Sequence, residues 1–199
     1  MADDSIYCGD EDIKIAPQNL SDLGKKENPD TDHNIDLYLR QRSLGNTDRA
    51  KALGRAFVGD LIDCVWTKAP EEIDPAVFDT QLKILFVYAV HRTVDGYSEN
   101  HILANTAIGS FYELLEQEEP AFFTALCKST AFTMYLYAHR SCQENAESVG
   151  GIFASLCGAE GNEDCAAIGE SAYARFTGAC VQRMAEAGYR SDGDDSHEL

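Results

Sequence analysis

After about residue 46, apolar positions recur at spacings of three and four, which predicts α-helices rather than strands. Leu53, Phe57, Leu61, Cys64 and Val65 follow this rule and give a helix over about Thr47–Lys68 one buried face, with Ala69-Pro70 as its stop. Asp74-Pro75 is an N-cap followed by proline at the first helical position, and it predicts a second helix. That helix runs to about Val94, with Gly96 just past its end. Its run Ile84–Val90 has the β-branched content of a buried strand, but the cap and the length of the segment favour a helix. A third helix spans about Ser98–Glu118. Ala104, Ala107, Ile108, Phe111 and Leu115 form its core face, and Glu99, Thr106, Ser110 and Glu113 its wet one.

Pro120 opens a fourth helix that reaches about Ser141. Phe122, Phe123, Leu126, Phe132, Met134, Leu136 and Tyr137 lie nearly all round it, the pattern of a central helix covered on several sides. A fifth, over about Ala146–Cys157, contains Gly150-Gly151. Glycine there costs about 1 kcal/mol relative to alanine, so close approach to a neighbour is expected. After the turn Gly158–Gly161, Asn162 caps a sixth helix, with Glu163 and Asp164 in its positive first turn. Its polar stripe is Ser171, Arg175, Gln182 and Glu186.

Residues 1–45 break this pattern. They hold ten acidic and five basic residues with few large apolar ones, and read as an acidic, loosely structured arm. A short helix over Ile35–Arg42, capped by Asn34, is its only expected element. Residues 192–199 form an acidic tail. The chain is therefore read as an all-α, single-domain helical bundle of about six main helices, paired as three hairpins over residues 46–191.

Three segments end alike: His91-Arg92-Thr93, His139-Arg140-Ser141 and Tyr189-Arg190-Ser191. The arginines lie 48 and 50 residues apart, close to a helical-hairpin period. The match is only about three residues long, whereas a true repeat extends along its unit. Basic residues at helix C-termini, where they stabilise the negative end by about 0.3–1 kcal/mol, are the simpler reading.

Charge narrows the partners. The 199-residue chain carries a formal net charge of −18. Nucleic-acid binding needs Lys and Arg to replace phosphate counterions, so nucleic acid is not expected, and anionic membrane surfaces are disfavoured for the same reason. No apolar stretch approaches a bilayer span, and the acidic N-terminus does not resemble a signal peptide. The seven cysteines are odd in number, scattered, and free of any Cys-x-x-Cys. Together these point to a reducing cytoplasm.

Candidate chemistry is sparse. His91 and Asp95 share a helical face, as do Tyr135 and His139. If the second and fourth helices run side by side and parallel, His91, Arg92, His139 and Arg140 converge into a positive spot suited to a carboxylate or phosphate. Lys128, on an apolar helix, would act as a base or nucleophile if desolvated; snorkelling to solvent is the simpler expectation. Asp60 and Asp63, three apart, are the best metal candidates, although a dimetal bundle normally adds Glu-x-x-His motifs and none is present. Cys157 and Cys165 are spaced wrongly for a zinc knuckle, and a redox pair is disfavoured in a reducing compartment. No nucleotide-loop, zincin or nucleophile-elbow motif occurs, and no cofactor is expected.

Three readings follow. The first is a non-catalytic protein-interaction or adaptor module, which binds a protein partner or self-associates. The second is a bundle that binds a small anionic ligand in a pocket lined by Phe132, Tyr135, Tyr137 and His139, with Lys128 or Arg140 fixing the charge. The third is a metal-dependent helical enzyme built on Asp60 and Asp63.

Overall fold

In the computed structural model, residues 29–63, 68–98, 100–140 and 148–189 are described, with the side chains of 29–33, 63 and 138–140 excepted. The fold is all-α. Among the described residues the helices are α1 (Pro29–Ser43), α2 (Asn46–Asp63), α3 (Pro75–Tyr97), α4 (His101–Glu118), α5 (Pro120–Lys128), α6 (Ala131–Arg140), α7 (Val149–Leu156) and α8 (Glu163–Ala187). None of them is long and apolar enough to cross a membrane. The chain divides into two compact units, Met1–Leu39 and Arg40–Leu199. Within the first, α1 starts at Pro29 rather than after an Asn34 cap. Most of the expected arm, residues 1–28, and the tail 192–199 lie outside the described residues.

The second unit is a helical bundle around α3. Asp74 caps that helix as expected, its carboxylate accepting from the Ala76 amide at 2.8 Å. Every residue from Ile84 to Val90 is buried, so no face of this stretch meets water. The central helix is therefore α3, not the fourth segment. That segment breaks in two at Ser129-Thr130. The Ser129 amide donates back to the Leu126 carbonyl at 3.1 Å, and its hydroxyl accepts from the Ala131 amide at 3.1 Å. A serine that bonds to nearby backbone offers the chain an alternative to continuing the helix. The starts of α4, α7 and α8 are capped by Asn100, Ser148 and Asn162, each accepting from a first-turn amide. Only the Asn162 cap matches its expected place; the third helix starts at His101 rather than near Ser98, and the fifth at Val149 rather than near Ala146.

Basic helix ends do not generalise. α3 continues through Gly96 to Tyr97, so Arg92 lies inside it and not in its last turn. α8 stops at Gly188, whose left-handed φ of 57° closes the helix before Arg190. Arg140 is the last described residue of α6, and Arg190 lies outside the described residues.

Two helix pairs meet backbone to backbone. A Cβ at Gly54 on α2 would collide with the Ala107 carbonyl oxygen and lie 2.8 Å from the Phe111 amide of α4. A Cβ at Gly150 on α7 would collide with the Ala166 carbonyl oxygen of α8, which confirms the close approach expected there. Gly169 gives the reciprocal clearance, for the Phe153 ring. These approaches let Phe57, Phe78, Phe111 and Phe153 be wholly or almost wholly buried. Each such ring contributes roughly 1.5–3 kcal/mol.

Gly54→Ala is expected to destabilise the protein by about 2–4 kcal/mol, because backbone rather than a mobile side chain must yield. Gly59→Ala, on the same helix with nothing within 4 Å of its added Cβ, is expected to stabilise by about 0.5–1 kcal/mol. Equilibrium urea unfolding of the two variants checks both signs.

Candidate functional site

The chemistry-bearing residues of the bundle gather along one aromatic column through its core. Tyr88 on α3 stacks on Tyr135 of α6 with ring centroids 5.1 Å apart, and on Tyr173 of α8 at 5.7 Å. Phe132 meets Tyr88 edge-on at 5.8 Å and His91 edge-on at 5.0 Å. His91 Nε2 lies 2.6 Å from the Tyr112 hydroxyl of α4. The neutral ring with its proton on Nδ1 lets that hydroxyl donate to Nε2. The Tyr88 hydroxyl donates to the Tyr135 backbone carbonyl at 3.2 Å.

This geometry decides the His-Arg question. Going up α3 from Tyr88 to His91 moves the contacts down α6, from Tyr135 to Phe132. The two helices therefore run antiparallel, not parallel as a four-residue cluster requires. His91 touches α6 at Phe132, seven residues before His139, or about 10 Å of helix rise. The parallel arrangement on which a four-residue basic spot would depend is therefore absent between the described parts of α3 and α6. The side chains of His139 and Arg140 lie outside the described residues.

Burial settles the titration of His91. Desolvation lowers its pKa below the ordinary 6.5, and the nearby Asp95 carboxylate opposes this only in part. Tyr112 is pushed up to about 12, chiefly by burial and then by Cys127. Tyr88 also rises to about 12, through burial first and Tyr173 next, against the lowering charge of Arg92. At neutral pH Tyr88, His91 and Tyr112 are thus uncharged, and each is hydrogen-bonded within the core. The geometry of the column is that of a packed core.

The other expected residues are dispersed. Lys128 ends α5 and is exposed, so it snorkels. Tyr135 is fully buried while Tyr137 is 72% exposed, so the two do not line one pocket. Asp60 accepts from Arg183 of α8 through both oxygens, at 2.6 and 2.9 Å, and Arg183 also reaches Glu186 at 3.3 Å. A metal at Asp60 would have to displace this guanidinium. The Asp63 side chain lies outside the described residues, and among those described no three His, Cys, Asp or Glu side chains gather as a metal site.

Beside this pair lies a cavity of about 450 Å³, lined by Asp60, Phe86, Arg175, Phe176, Arg183 and Glu186 among others. The expected polar stripe of α8 supplies part of its wall. Sequence reasoning missed it because its partners come from three helices far apart in the chain. Its two carboxylates balance its two guanidiniums, so the lining carries no net preference for an anion.

The sign of the His91 shift gives a pH prediction. The folded pKa is depressed, so the unfolded chain takes up the proton first as pH falls. The stabilisation is complete above about pH 6.5 and is lost progressively below it, down through the folded pKa. His91→Gln is expected to flatten the stability profile between pH 7 and 5 relative to the parent, measured by urea unfolding at each pH. A parallel profile would contradict a buried, neutral His91.

No protein-family model, curated protein or solved structure matches this chain.

Proposed function

We propose that this chain is a cytoplasmic, non-catalytic interaction module that offers the apolar face of α1 to a protein partner. One observation carries the reading. Ile35, Tyr38 and Leu39 are 50%, 42% and 53% exposed, at the i, i+3, i+4 spacing of a single helix face. That spacing is the anchor pattern by which an amphipathic helix lies in a partner's hydrophobic groove. Burying the three side chains in such a groove would stabilise a complex by roughly 1.5–3 kcal/mol each before the cost of association.

The interior supports the non-catalytic part. His91 is bonded to Tyr112, Asp60 to Arg183, and Tyr88 to a backbone carbonyl, so these groups are engaged with one another. The net charge of −18 favours a partner whose groove is rimmed by basic residues, and makes the encounter salt-sensitive. A small-anion site fits less well, because the lining of the α8 cavity is neutral and Tyr135 and Tyr137 do not line one pocket.

The test is the double variant Ile35→Asp, Leu39→Asp. Its melting temperature is expected to match the parent's, since both residues are half exposed in the free protein. Proteins that co-purify with the parent from its source cells at low salt are expected to be lost with the variant. The same set recovered with both would contradict docking through α1. Light scattering of the parent separates a foreign partner from a second copy.

A further inference from the structure

The cavity of about 450 Å³ beside the Asp60–Arg183 pair carries its charge unevenly. It lies along one face of α8, from Arg175 through Ala179 and Gln182 to Glu186, where residues recur about once per turn. At its far end three charges are tied together. Asp60 of α2 accepts from Arg183 through both oxygens. Glu186 accepts from Arg183 at 3.3 Å and from the Gln182 amide at 2.9 Å. Two carboxylates against one guanidinium leave this end one negative charge. At the near end Arg175 pairs with no carboxylate among the described residues; its guanidinium carbon stands 5.8 Å from the centre of the Phe176 ring instead. That end keeps one positive charge. Between the two poles the floor is apolar. Phe86 of α3 and Phe176 meet edge to face at 5.4 Å, both almost wholly buried, and Ala179 adds only a short side chain. The lining is thus neutral in sum and dipolar along its length.

We propose that this cavity binds a short peptide with free termini. The C-terminal carboxylate lies on Arg175, the N-terminal ammonium on Glu186 and Asp60, and an apolar side chain over Phe86 and Phe176. A guanidinium holds a carboxylate through two parallel hydrogen bonds, and Arg175 has no carboxylate of its own to give up first. The far end favours a cation, because its carboxylates outnumber its guanidinium.

Length selects a peptide over a single amino acid. From Arg175 to Arg183 the rise along α8 is about 12 Å, and from Arg175 to Glu186 about 16 Å. An extended chain covers about 3.3–3.6 Å per residue, so a peptide of about three to five residues reaches from pole to pole. A single amino acid carries both charges on one carbon and meets only one pole. A purely anionic ligand gains at Arg175 and is repelled at the far end. The volume lies in the range of small-ligand sites, which bury an apolar body and fix it with a few polar groups. Arg175 and Glu186 are exposed, so salt screens both poles and the binding is weak and reversible.

The probe is the tetrapeptide Ala-Phe-Ala-Ala, titrated at low salt into the isotope-labelled parent protein and followed by backbone amide shifts in two-dimensional NMR. Saturable shifts are expected along Arg175–Glu186 and at Phe86. The same peptide with its N-terminus acetylated and its C-terminus amidated keeps the aromatic side chain and loses both charges. It is expected to bind at least about fivefold more weakly. Arg175→Ala and Glu186→Gln are each expected to weaken the free peptide about fivefold while the melting temperature stays at the parent's, since both side chains are exposed. Arg175→Lys, which keeps the charge but not the planar fork, is expected to fall between parent and Arg175→Ala. The absence of saturable shifts in this stretch, equal binding of the capped peptide, or parent-like binding by both Arg175→Ala and Glu186→Gln would overturn the proposal.

Discussion

The burial of α3 on every side is the constraint on which the bundle depends. Ile84–Val90 leaves no surface for water, so other helices must cover all of it. A helix cannot be wrapped so closely unless its neighbours also lie close to one another. Gly54 and Gly150 answer that need by removing a side chain where backbones of α2 and α4, and of α7 and α8, meet. The aromatic column is a consequence of the same enclosure. Tyr88 and His91 bring polar atoms into the interior, and each is satisfied by a neighbour on α6 or α4. An unsatisfied group in that place would cost about 1–3 kcal/mol.

Much of this was legible in the chain. Period three and four, Asp74-Pro75 and Asn162 report local physics, and they fall where that physics acts. The core faces Leu53, Phe57, Leu61 and Ala104, Ala107, Phe111, Leu115 are buried as the spacing requires. The misplaced features fail for identifiable reasons. Lys128-Ser129-Thr130 reads as helix by composition, yet the serine competes for backbone hydrogen bonds and divides α5 from α6. Gly96 resembles a terminator, but Val94 accepts a hydrogen bond from the Ser98 amide, and the helix continues past the glycine. A basic dipeptide after an apolar run marks a helix end only when the helix stops there, and α3 does not.

Candidate chemistry was less legible than fold, because it depends on direction rather than periodicity. His91, Arg92, His139 and Arg140 make a site only if two helices run parallel, and the Tyr88–Tyr135 and His91–Phe132 contacts set them antiparallel. Asp60 resembles a metal ligand along the sequence, while its partner Arg183 is 123 residues away. Ile35, Tyr38 and Leu39 of α1 are ordinary apolar residues along the sequence, and their exposure shows only in the structure.

Hydrogen–deuterium exchange along α3 tests the central claim most directly. If this helix is enclosed by the rest of the bundle, the amides of Ile84–Val90 exchange only through global unfolding. Their protection would then equal the unfolding free energy from urea and fall with it in Gly54→Ala. Exchange of that stretch through a smaller opening, with α2 and α8 more strongly protected, would contradict a fold organised around α3.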